Sequence, residues 1–366
     1  MFVRNSWYVG AWSDEIGHGA ILGRTLLGDD VVFYRQSDGK LAALENRCCH
    51  RGLPLSHGCV QGDELQCGYH GLVFDRSGIC VRVPGQKQVP AAARVRSYAV
   101  VEQDHMVWIW MGDQKLADPA AIVRHPWHDN PDWVWIKNRI SVQAHYQLIT
   151  DNLMDLTHVG YVHGRTIGGT PQAHSDAETK TIRSETGVRV ERLLLNSVPP
   201  PAYTAACTFK SGRVDRWMEI DFLPPCSVRI HTGAIDANTG FAQGRREGGI
   251  KFMGWNSQTP ETETSTHYFW SGARNYEPGE PPQRQKMLDS LAPTFAEDKV
   301  VVEAQQATSN KRSDAPFVMI ASDGGMVHAR RIVKSMLDAE SGSTTNPGSG
   351  REDTISSGSV LASAEI

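Results

Sequence analysis

The segment CCHRGLPLSHGCVQGDELQCGYH, residues 48–70, carries two pairs of metal-binding side chains and constrains the fold more than any other stretch. Cys48 and His50 form one pair, Cys67 and His70 form the other, and 16 residues separate them. Zinc is often bound by two cysteines and two histidines, but in zinc fingers both cysteines precede both histidines. Here each pair mixes sulfur with nitrogen, which suits a two-iron cluster with one iron on the cysteines and the other on the histidines. A zinc site, or a loop whose cysteines and histidines are unrelated, is the alternative.

Glycine and proline surround both pairs. Gly52 and Gly71 follow the pairs within two residues, and the insert between the pairs contains further glycines and a proline. Such a composition builds tight loops whose backbone N–H groups are free to point at cluster sulfides. The segment resembles the Rieske domain of the ring-hydroxylating and O-demethylating mononuclear iron oxygenases. It departs from that pattern at Cys49, where many relatives carry proline. We expect Cys49 to be a small buried residue, with an alternative ligand or an oxidation site as the other readings.

The overall composition indicates an ordinary globular protein of two domains. The chain has 366 residues, 40% of them hydrophobic, a formal charge of −4 and a pI near 6.4. It therefore lacks the excess of basic residues that is typical of proteins that bind nucleic acids or membrane surfaces. The N-terminus lacks the pattern of a signal peptide, and no apolar stretch reaches the length of a membrane span. The cysteines outside the two pairs show no disulfide rhythm. We therefore expect a cytoplasmic protein with no nucleic-acid or membrane partner.

Residues 1–116 predict an all-β domain. Short apolar runs such as SWYVGAW and KLAALEN alternate with turn signals, for example Ser37-Asp38-Gly39. Rigid strands with short loops suit a redox cluster whose ligands must not reorganise. A connection rich in proline and aspartate, residues 117–133, then separates this Rieske-like domain from a second domain.

The second domain, residues 134–340, mixes strands with helices. Strands are predicted at VWIKNRISVQAHY, VRVERLLLNSV, SVRIHTGAI, GIKFMGW and STHYFWSG. A helix is predicted over 146–159, helices on either side of Pro293, and a closing helix with Ser322 or Asp323 as its N-cap. The expected class is α+β, an antiparallel sheet with helices packed on it, in the helix-grip, START-like arrangement that the resemblance implies. The Ser- and Gly-rich residues 341–366 predict a disordered tail.

The predicted helix over 146–159 introduces a second candidate metal site. Asp155 and His158 are three residues apart and therefore share a helical face, and His163 follows Gly160, where the helix can loosen. Two imidazoles and one carboxylate form the facial triad of non-haem Fe(II) oxygenases. Two histidines near acidic residues arise easily by chance, but the stretch DNLMDLTHVGYVH resembles the D-x₃-D-x₂-H-x₄-H signature of the Rieske oxygenase catalytic domain.

The third ligand is not determined by spacing alone. The carboxylates considered are Asp289, Glu297, Asp298 and Glu303. The segment FAEDKVVVEAQQ resembles the one that supplies the carboxylate in vanillate O-demethylases and dicamba monooxygenases, which implies Asp298. Glu297 points about 100° away on the same helix and is the solvent-facing alternative. Asp151 and Asn152 are expected to lie behind the ligands.

Asp155 is expected to be a catalytic residue. Its carboxylate can accept the N–H of His158 and fix the tautomer of that ring. The resemblance further implies that Asp155 bonds to His70 of a neighbouring subunit, so that electrons cross between the copies of a homotrimer. A plain helix carboxylate is the alternative.

A cluster beside an open Fe(II) site indicates that electrons are delivered singly to activate O₂. The chain has no G-x-G-x-x-G after a strand, so we expect NAD(P)H to act through a separate reductase with flavin and a ferredoxin-type cluster. Up to about residue 340 the chain most resembles vanillate O-demethylase oxygenase subunits, in motifs such as WYVGAW, GYHGL, FWSGARN and FAED. The resemblance implies hydroxylation of an aryl methyl ether such as vanillate, whose hemiacetal product collapses to a phenol, protocatechuate, and formaldehyde.

The substrate pocket is less well defined by the sequence. The candidates lie in strands of the second domain, where aromatic residues are also ordinary core: Trp217, His231, Trp255, Asn256 and His267. Arg165 and Arg216 are candidates for binding a substrate carboxylate. Alternatives are ring hydroxylation, dioxygenation or N-demethylation of another aromatic acid, such as dicamba, toluenesulfonate or a phthalate-like compound. An electron carrier would need only the first third of the chain, and a hydrolase would contain zinc.

Overall fold

The computed structural model describes residues 1–275, 281–312 and 315–342. The strands are β1 Trp7–Trp12, β2 Ile21–Leu26, β3 Asp29–Arg35, β4 Leu41–Glu45, β5 Cys59–Gln61, β6 Glu64–Gln66, β7 Val73–Phe74, β8 Cys80–Arg82, β9 Ser97–Tyr98, β10 Val100–Gln103, β11 Met106–Trp110, β12 Val134–Val142, β13 Glu178–Arg183, β14 Val188–Ser197, β15 Val214–Leu223, β16 Ser227–Asp236, β17 Ile250–Thr262 and β18 Ser265–Arg274. The α-helices are α1 Tyr146–Met154, α2 Val159–Val162, α3 Pro171–Ser175, α4 Pro201–Ala206, α5 Pro281–Lys311 and α6 Gly324–Glu340. The tail predicted at 341–366 lies outside the described residues from residue 343 onward.

Small antiparallel sheets make up the N-terminal part of the chain, which confirms the prediction of an all-β domain. Their strand orders are β1-β11-β10, β2-β3-β4-β9 and β5-β6-β7-β8. The loops that carry the two Cys/His pairs leave this framework after β4 and after β6. Both loops therefore begin at the ends of short, paired strands and have little freedom to move.

A large antiparallel sheet in the order β12-β18-β17-β16-β15-β14-β13 forms the second domain. Its even-numbered residues, among them Phe222 and Trp270, pack with α1, α5 and α6 in one hydrophobic core. Because side chains alternate between the faces of a strand, the odd-numbered residues point the other way. The predicted class, an antiparallel sheet with helices packed on it, is confirmed.

The odd-numbered face of β17 and β18 packs against the N-terminal sheets. The Trp108 and Trp255 rings meet edge to face with centroids 5.8 Å apart, and Trp12 meets Phe269 at 6.1 Å. The Thr259 hydroxyl donates to a backbone carbonyl of β1 at 2.8 Å. Buried aromatic contacts of this kind fix the two domains to each other.

The helix predicted over 146–159 is broken at Asp155. Helix α1 ends at Met154, Asp155 is extended (φ −121°, ψ 96°), and a short 3₁₀ turn over Leu156–His158 precedes α2. The cause is local: the Asp155 carboxylate accepts the Thr157 N–H at 2.9 Å and caps the next turn instead of continuing the first helix. In contrast, α5 continues through Pro293, and α6 begins after Asp323 as predicted.

None of the helices in the described part of the chain combines the length and the apolar character needed to cross a bilayer.

Candidate metal centres and the adjoining cavity

The two loops that carry the Cys/His pairs share one backbone pattern. In each loop the cysteine N–H donates to the carbonyl five residues later, and the N–H four residues later donates back to the cysteine carbonyl. These bonds join Cys48 to Leu53 and Gly52, and Cys67 to Leu72 and Gly71, at 2.8–3.2 Å. Both glycines have positive φ, 75° and 72°, which a β-carbon disfavours. The glycines therefore allow the two loops to face each other with matching geometry.

In these loops the sulfur ligands and the nitrogen ligands lie in different places. Cys48 and Cys67 are each 2% exposed, whereas His50 and His70 lie at the surface with ring centroids 4.6 Å apart. Burial, with the neighbouring Cys67, raises the pKa of the Cys48 thiol to about 11, so a bound cation is needed for this thiol to ionise at neutral pH. A sulfur pair on one side and a nitrogen pair on the other fit a two-iron cluster.

The loops do not converge on a single ion. Within the described ranges, three or more Cys, His, Asp or Glu ligand atoms come within 4.8 Å of one another at a different place in the chain, and none of the four loop residues belongs to that group. This separation argues against the zinc alternative. Cys49 is exposed, so the expectation of a small buried residue at this position is wrong.

His158, His163 and Asp298 form that convergent donor set, with all their ligand atoms within 4.8 Å of one another. The Asp298 Oδ1 lies 3.0 Å from Nε2 of His163 and 3.5 Å from Nε2 of His158. The connection between α1 and α3 supplies the two rings, and α5 supplies the carboxylate. His163 is 1% exposed and Asp298 is 7% exposed. Two imidazoles and one carboxylate on one side of a cavity can hold iron(II) and leave its other positions open.

Hydrogen bonds behind the donor set orient both rings. Nδ1 of His163 donates to the Glu297 carboxylate at 2.8 Å, and Nδ1 of His158 donates to the backbone carbonyl of Asp155 at 2.6 Å. The Asn152 amide donates to Asp298 at 3.2 Å. Nε2 of each ring is thereby left as the metal-facing atom. Although burial opposes protonation of His163, the Asp298 and Glu297 carboxylates raise its pKa, and a divalent cation can replace that proton.

Three sequence-based expectations about these neighbours need correction. Glu297 does not face solvent, because its partly buried carboxylate orients His163. The Asp155 carboxylate does not bond to His158, because the extended backbone turns the carbonyl toward that ring and the carboxylate toward Thr157 and Ser322. Asp151 does not lie behind the ligands: it forms an ion pair with Arg330 of α6, with Oδ2 and Nη2 2.5 Å apart.

A cavity of about 440 Å³ opens beside the donor set. Helices α1 and α5 with the intervening turns form one wall, and the even-numbered residues of the sheet form the other. Most of the lining is apolar, including Leu156, Met218, Ile230, Phe252, Trp270 and Phe295. A largely apolar cleft of this size is typical of a site for one small organic molecule.

Of the pocket residues proposed from sequence, Asn256 lines this cavity and the others do not. Asn256 accepts the Tyr268 hydroxyl proton at 2.8 Å. Trp217 and His231 lie on the opposite face of their strands, where His231 bonds to Glu219 at 3.0 Å. Trp255 and His267 also lie on that face and contact the N-terminal domain.

The error has one cause. All the misplaced strand residues have odd numbers, whereas the cavity takes mainly even-numbered positions of β15–β18, with Gly233 and Ser271 as the exceptions. Alternate residues of a strand share a face. If one strand residue had been known to face the helices, this alternation would have identified Thr232 and Phe252 as cavity residues. Of the two arginines proposed, Arg216 lines the cavity, and Arg165 is exposed outside it.

A one-electron cluster together with an iron site that has open positions is found in enzymes that activate O₂. The fold and the two donor sets define a Rieske-type non-haem iron oxygenase. Residues 6–99 match the Rieske [2Fe-2S] domain, and residues 142–339 match the vanillate O-demethylase oxygenase C-terminal domain. The chain belongs to the vanillate O-demethylase family of Rieske monooxygenases, which carry a [2Fe-2S] cluster and a mononuclear non-haem iron.

Several characterised proteins are similar over nearly the whole chain. The toluene-4-sulfonate monooxygenase system iron-sulfur subunit of Comamonas testosteroni is 40% identical, over 94% of this chain and 99% of its own. A vanillate O-demethylase oxygenase subunit of Pseudomonas sp. strain HR199 is 36% identical, over 93% and 96%. The crystal structure of dicamba monooxygenase bound to dicamba superposes with a TM-score of 0.84 at 34% identity, over 93% of this chain and 99% of that one.

Proposed function

We propose that this chain is the terminal oxygenase of a multicomponent system that O-demethylates a methoxybenzoate such as vanillate. The observation that carries the proposal is the apolar cavity that adjoins His158, His163 and Asp298. A cavity of this volume accommodates a single substituted ring and can hold the methyl group of its methoxy substituent next to the metal ligands.

In this proposal Cys48, His50, Cys67 and His70 hold the cluster, and His158, His163 and Asp298 hold the iron. When bound, the cluster supplies single electrons and the iron supplies O₂ activation. Glu297 and the Asp155 carbonyl keep the two rings in position by accepting their Nδ1 protons. The apolar walls keep water away from the methyl group while it reacts.

The reaction balances with one equivalent of O₂, two electrons and two protons. One oxygen atom enters the methyl C–H bond, and the other leaves as water. The resulting hemiacetal breaks its bond between the methyl carbon and the ether oxygen, giving a phenol and formaldehyde. NAD(P)H supplies both electrons through a separate reductase with flavin and a ferredoxin-type cluster.

A homotrimer is part of the proposal. His70 is exposed at the cluster, and Asp155 is only half-buried beside the other metal site. The Asp155 carboxylate of one copy would accept a hydrogen bond from the His70 ring N–H of the next copy, in addition to the bond from Ser322 at 3.1 Å. Electrons would then pass between copies through this short hydrogen-bonded path. The five cysteines that do not bind the cluster in this proposal form no disulfide, which supports a reducing, cytoplasmic location.

Hydroxylation of a methyl group on an aromatic sulfonate is the second candidate. It is favoured by the 40% identity to the toluene-4-sulfonate system, which exceeds the 36% identity to the vanillate enzyme. The two candidates use the same metals and differ in the ring substituents that the cavity accepts.

The metals are tested first, with the purified full chain reduced by dithionite. We expect a rhombic EPR signal of the Rieske type and about three iron atoms per chain, two in the cluster and one at the triad. A colourless protein that contains zinc would overturn the assignment of both centres.

The reaction is tested by a single turnover of the reduced, iron-replete protein with O₂. Vanillate is expected to give protocatechuate and equimolar formaldehyde, and toluene-4-sulfonate is expected to give less product. A cis-diol from vanillate would contradict O-demethylation. Greater turnover of toluene-4-sulfonate, to its benzylic alcohol, would establish the second candidate instead.

A further inference from the structure

We infer that Arg216 binds the acid group of the substrate and thereby selects anionic substrates. This inference rests on the proposed function, because it assigns a residue to the recognition of an aromatic acid. Arg216 lies on β15, in the wall formed by the sheet and α4. The metal donors lie in the wall formed by α1, α5 and the turns between α1 and α3.

The burial of Arg216 is the first argument. Its side chain lines the cavity although the residue is only 2% exposed. Throughout the described part of the chain, no carboxylate oxygen lies within 4.0 Å of its guanidinium. A buried charge without a counterion is unfavourable, so such groups are normally paired. An anion in the cavity would supply the missing partner.

The hydrogen bonds of Arg216 leave donors available. Nη1 donates to the Gly168 carbonyl at 3.3 Å, and Nε has no hydrogen-bond partner. The guanidinium carbon lies 4.8 Å from the centroid of the Tyr203 ring, so this ring supports one face of the group. A guanidinium held by a carbonyl and an aromatic face has a fixed plane. Its unused N–H groups can bind a carboxylate or a sulfonate, each through two oxygens.

The charges around Arg216 also favour an anion. Arg192 is buried nearby and donates to the His174 carbonyl at 2.5 Å. His174 shares the Gly168 carbonyl with Arg216, at 2.9 Å, and burial together with both arginines lowers its pKa to about 4. The ring is therefore neutral at pH 7. The Asp155 carboxylate interacts favourably with Arg192, whereas no carboxylate of the described residues forms an ion pair with Arg216.

Thr232 and Asn256, two other polar residues of the cavity, are already engaged, whereas the Thr294 hydroxyl has no partner among the described residues. The Thr232 hydroxyl donates to the Trp217 carbonyl at 2.9 Å and accepts the Tyr203 hydroxyl proton at 3.0 Å. Asn256 is held by Tyr268 and by the Val228 carbonyl. Lys286 lines the cavity but its side chain is exposed, so water screens its charge.

The test compares charged and neutral probes by calorimetric titration of the iron-replete protein without O₂. Vanillate and toluene-4-sulfonate are the anionic probes, and vanillyl alcohol is the neutral match to vanillate. We expect Arg216→Met to weaken binding of the tighter-binding anion by about ten- to a hundredfold and to change binding of vanillyl alcohol less than threefold. Lys286→Met, which removes an exposed cation from the same cavity, should change neither by more than about threefold.

The outcomes separate the inference from the proposed function. Equal weakening of vanillate and vanillyl alcohol by Arg216→Met, or no anion binding to the unmodified protein, would overturn the role of Arg216. Unchanged cluster EPR and thermal unfolding temperature show that the variant is folded, and Arg216→Lys provides a second variant that retains the charge. Loss of anion binding in Arg216→Met together with no methyl oxidation by the unmodified protein would refute the proposed reaction while leaving the acid site in place. The probe that binds more tightly identifies carboxylate or sulfonate as the preferred anion.

Discussion

The carboxylate of Glu297 accepts the Nδ1–H of His163 at 2.8 Å, on the side of the ring opposite the candidate metal position. Its neighbour Asp298 approaches Nε2 of the same ring at 3.0 Å. Consecutive residues of α5 therefore act on the two nitrogens of one imidazole. One carboxylate orients the ring, and the other completes the donor set.

This arrangement predicts different iron losses for the two carboxylates. Asp298→Ala should deplete the mononuclear iron and leave the cluster spectrum intact, because it removes a ligand. Glu297→Ala should weaken iron binding by about 10- to 100-fold, because the ring loses its orienting acceptor. Iron content after dialysis against a graded chelator measures both effects. Asp289→Ala is the matched control, since Asp289 is an exposed carboxylate of the same helix. Depletion by Glu297→Ala but not by Asp298→Ala would reverse the assignment of the ligand.

Asp155→Asn should keep both metals but lose coupled turnover. The bond that orients His158 comes from the Asp155 backbone, which the substitution leaves in place. In the proposed homotrimer, a neutral amide would not replace the carboxylate that accepts a hydrogen bond from His70 of the next copy. Iron analysis tests whether both metals are retained, and rapid-mixing measurements of cluster oxidation by O₂ test whether electron transfer is lost. Ser322→Ala, which removes only the hydroxyl contact to Asp155, is the control. Loss of mononuclear iron in Asp155→Asn would instead identify Asp155 as a ligand.

Buried histidines predict a loss of stability in mild acid. Burial lowers the pKa of His125 to about 2, and the pKa of each of His128, His145 and His174 to about 4. Below pH 6.5 the unfolded chain binds protons that the folded chain does not. Stability is therefore lost as the pH falls from 6.5 toward 4, by up to about 1.4 kcal/mol per pH unit for each ring.

His125→Phe isolates one of these contributions. Both ring nitrogens of His125 lack hydrogen-bond partners in the described part of the chain, so the substitution breaks no bond there. The slope of unfolding free energy against pH should fall by about 0.7 kcal/mol per pH unit at pH 6.5 and by up to about 1.4 kcal/mol per pH unit near pH 5. Urea unfolding at several pH values measures the slope, and the exposed His18→Gln serves as control. An unchanged slope in His125→Phe would mean that this ring is protonated in the folded protein.

Gly254→Val should narrow the cavity without straining the backbone. A β-carbon at Gly254, which lines the cavity, would meet its nearest side-chain atoms at 3.5–3.6 Å, an ordinary contact distance. The added methyl groups extend toward the substrate, so binding of vanillate should weaken about tenfold or more while the smaller benzoate is less affected. Calorimetric titration of both acids gives the ratio of their dissociation constants in the variant and in the unmodified protein. Gly17→Val, at an exposed position with open space around it, is the control. Equal weakening of both acids would indicate a general distortion of the cavity.

The sequence was sufficient to predict the two-domain class of fold, because strand periodicity and ligand spacing are local properties. It did not show that α1 stops at Met154, since the cap formed by Asp155 competes with helix propensity and the balance depends on the tertiary structure. It also placed Glu297 in solvent, because helical geometry gives an angle between neighbours but not the element packed beside them. Arg216 and Trp217 were equally plausible pocket residues in a linear sequence. Only the pairing of the sheet shows which of them faces the helices.

The metal donors come from helices and turns, whereas the facing wall of the cavity comes from alternate positions along the strands of the sheet. These two sets of residues can therefore mutate independently. Such an enzyme can change its substrate preference through substitutions at a few strand positions, such as 216, 218, 230, 232 and 252, while its iron ligands stay unchanged. The same separation suits directed evolution, because a library confined to these positions samples new specificities while each member inherits an intact oxidising centre.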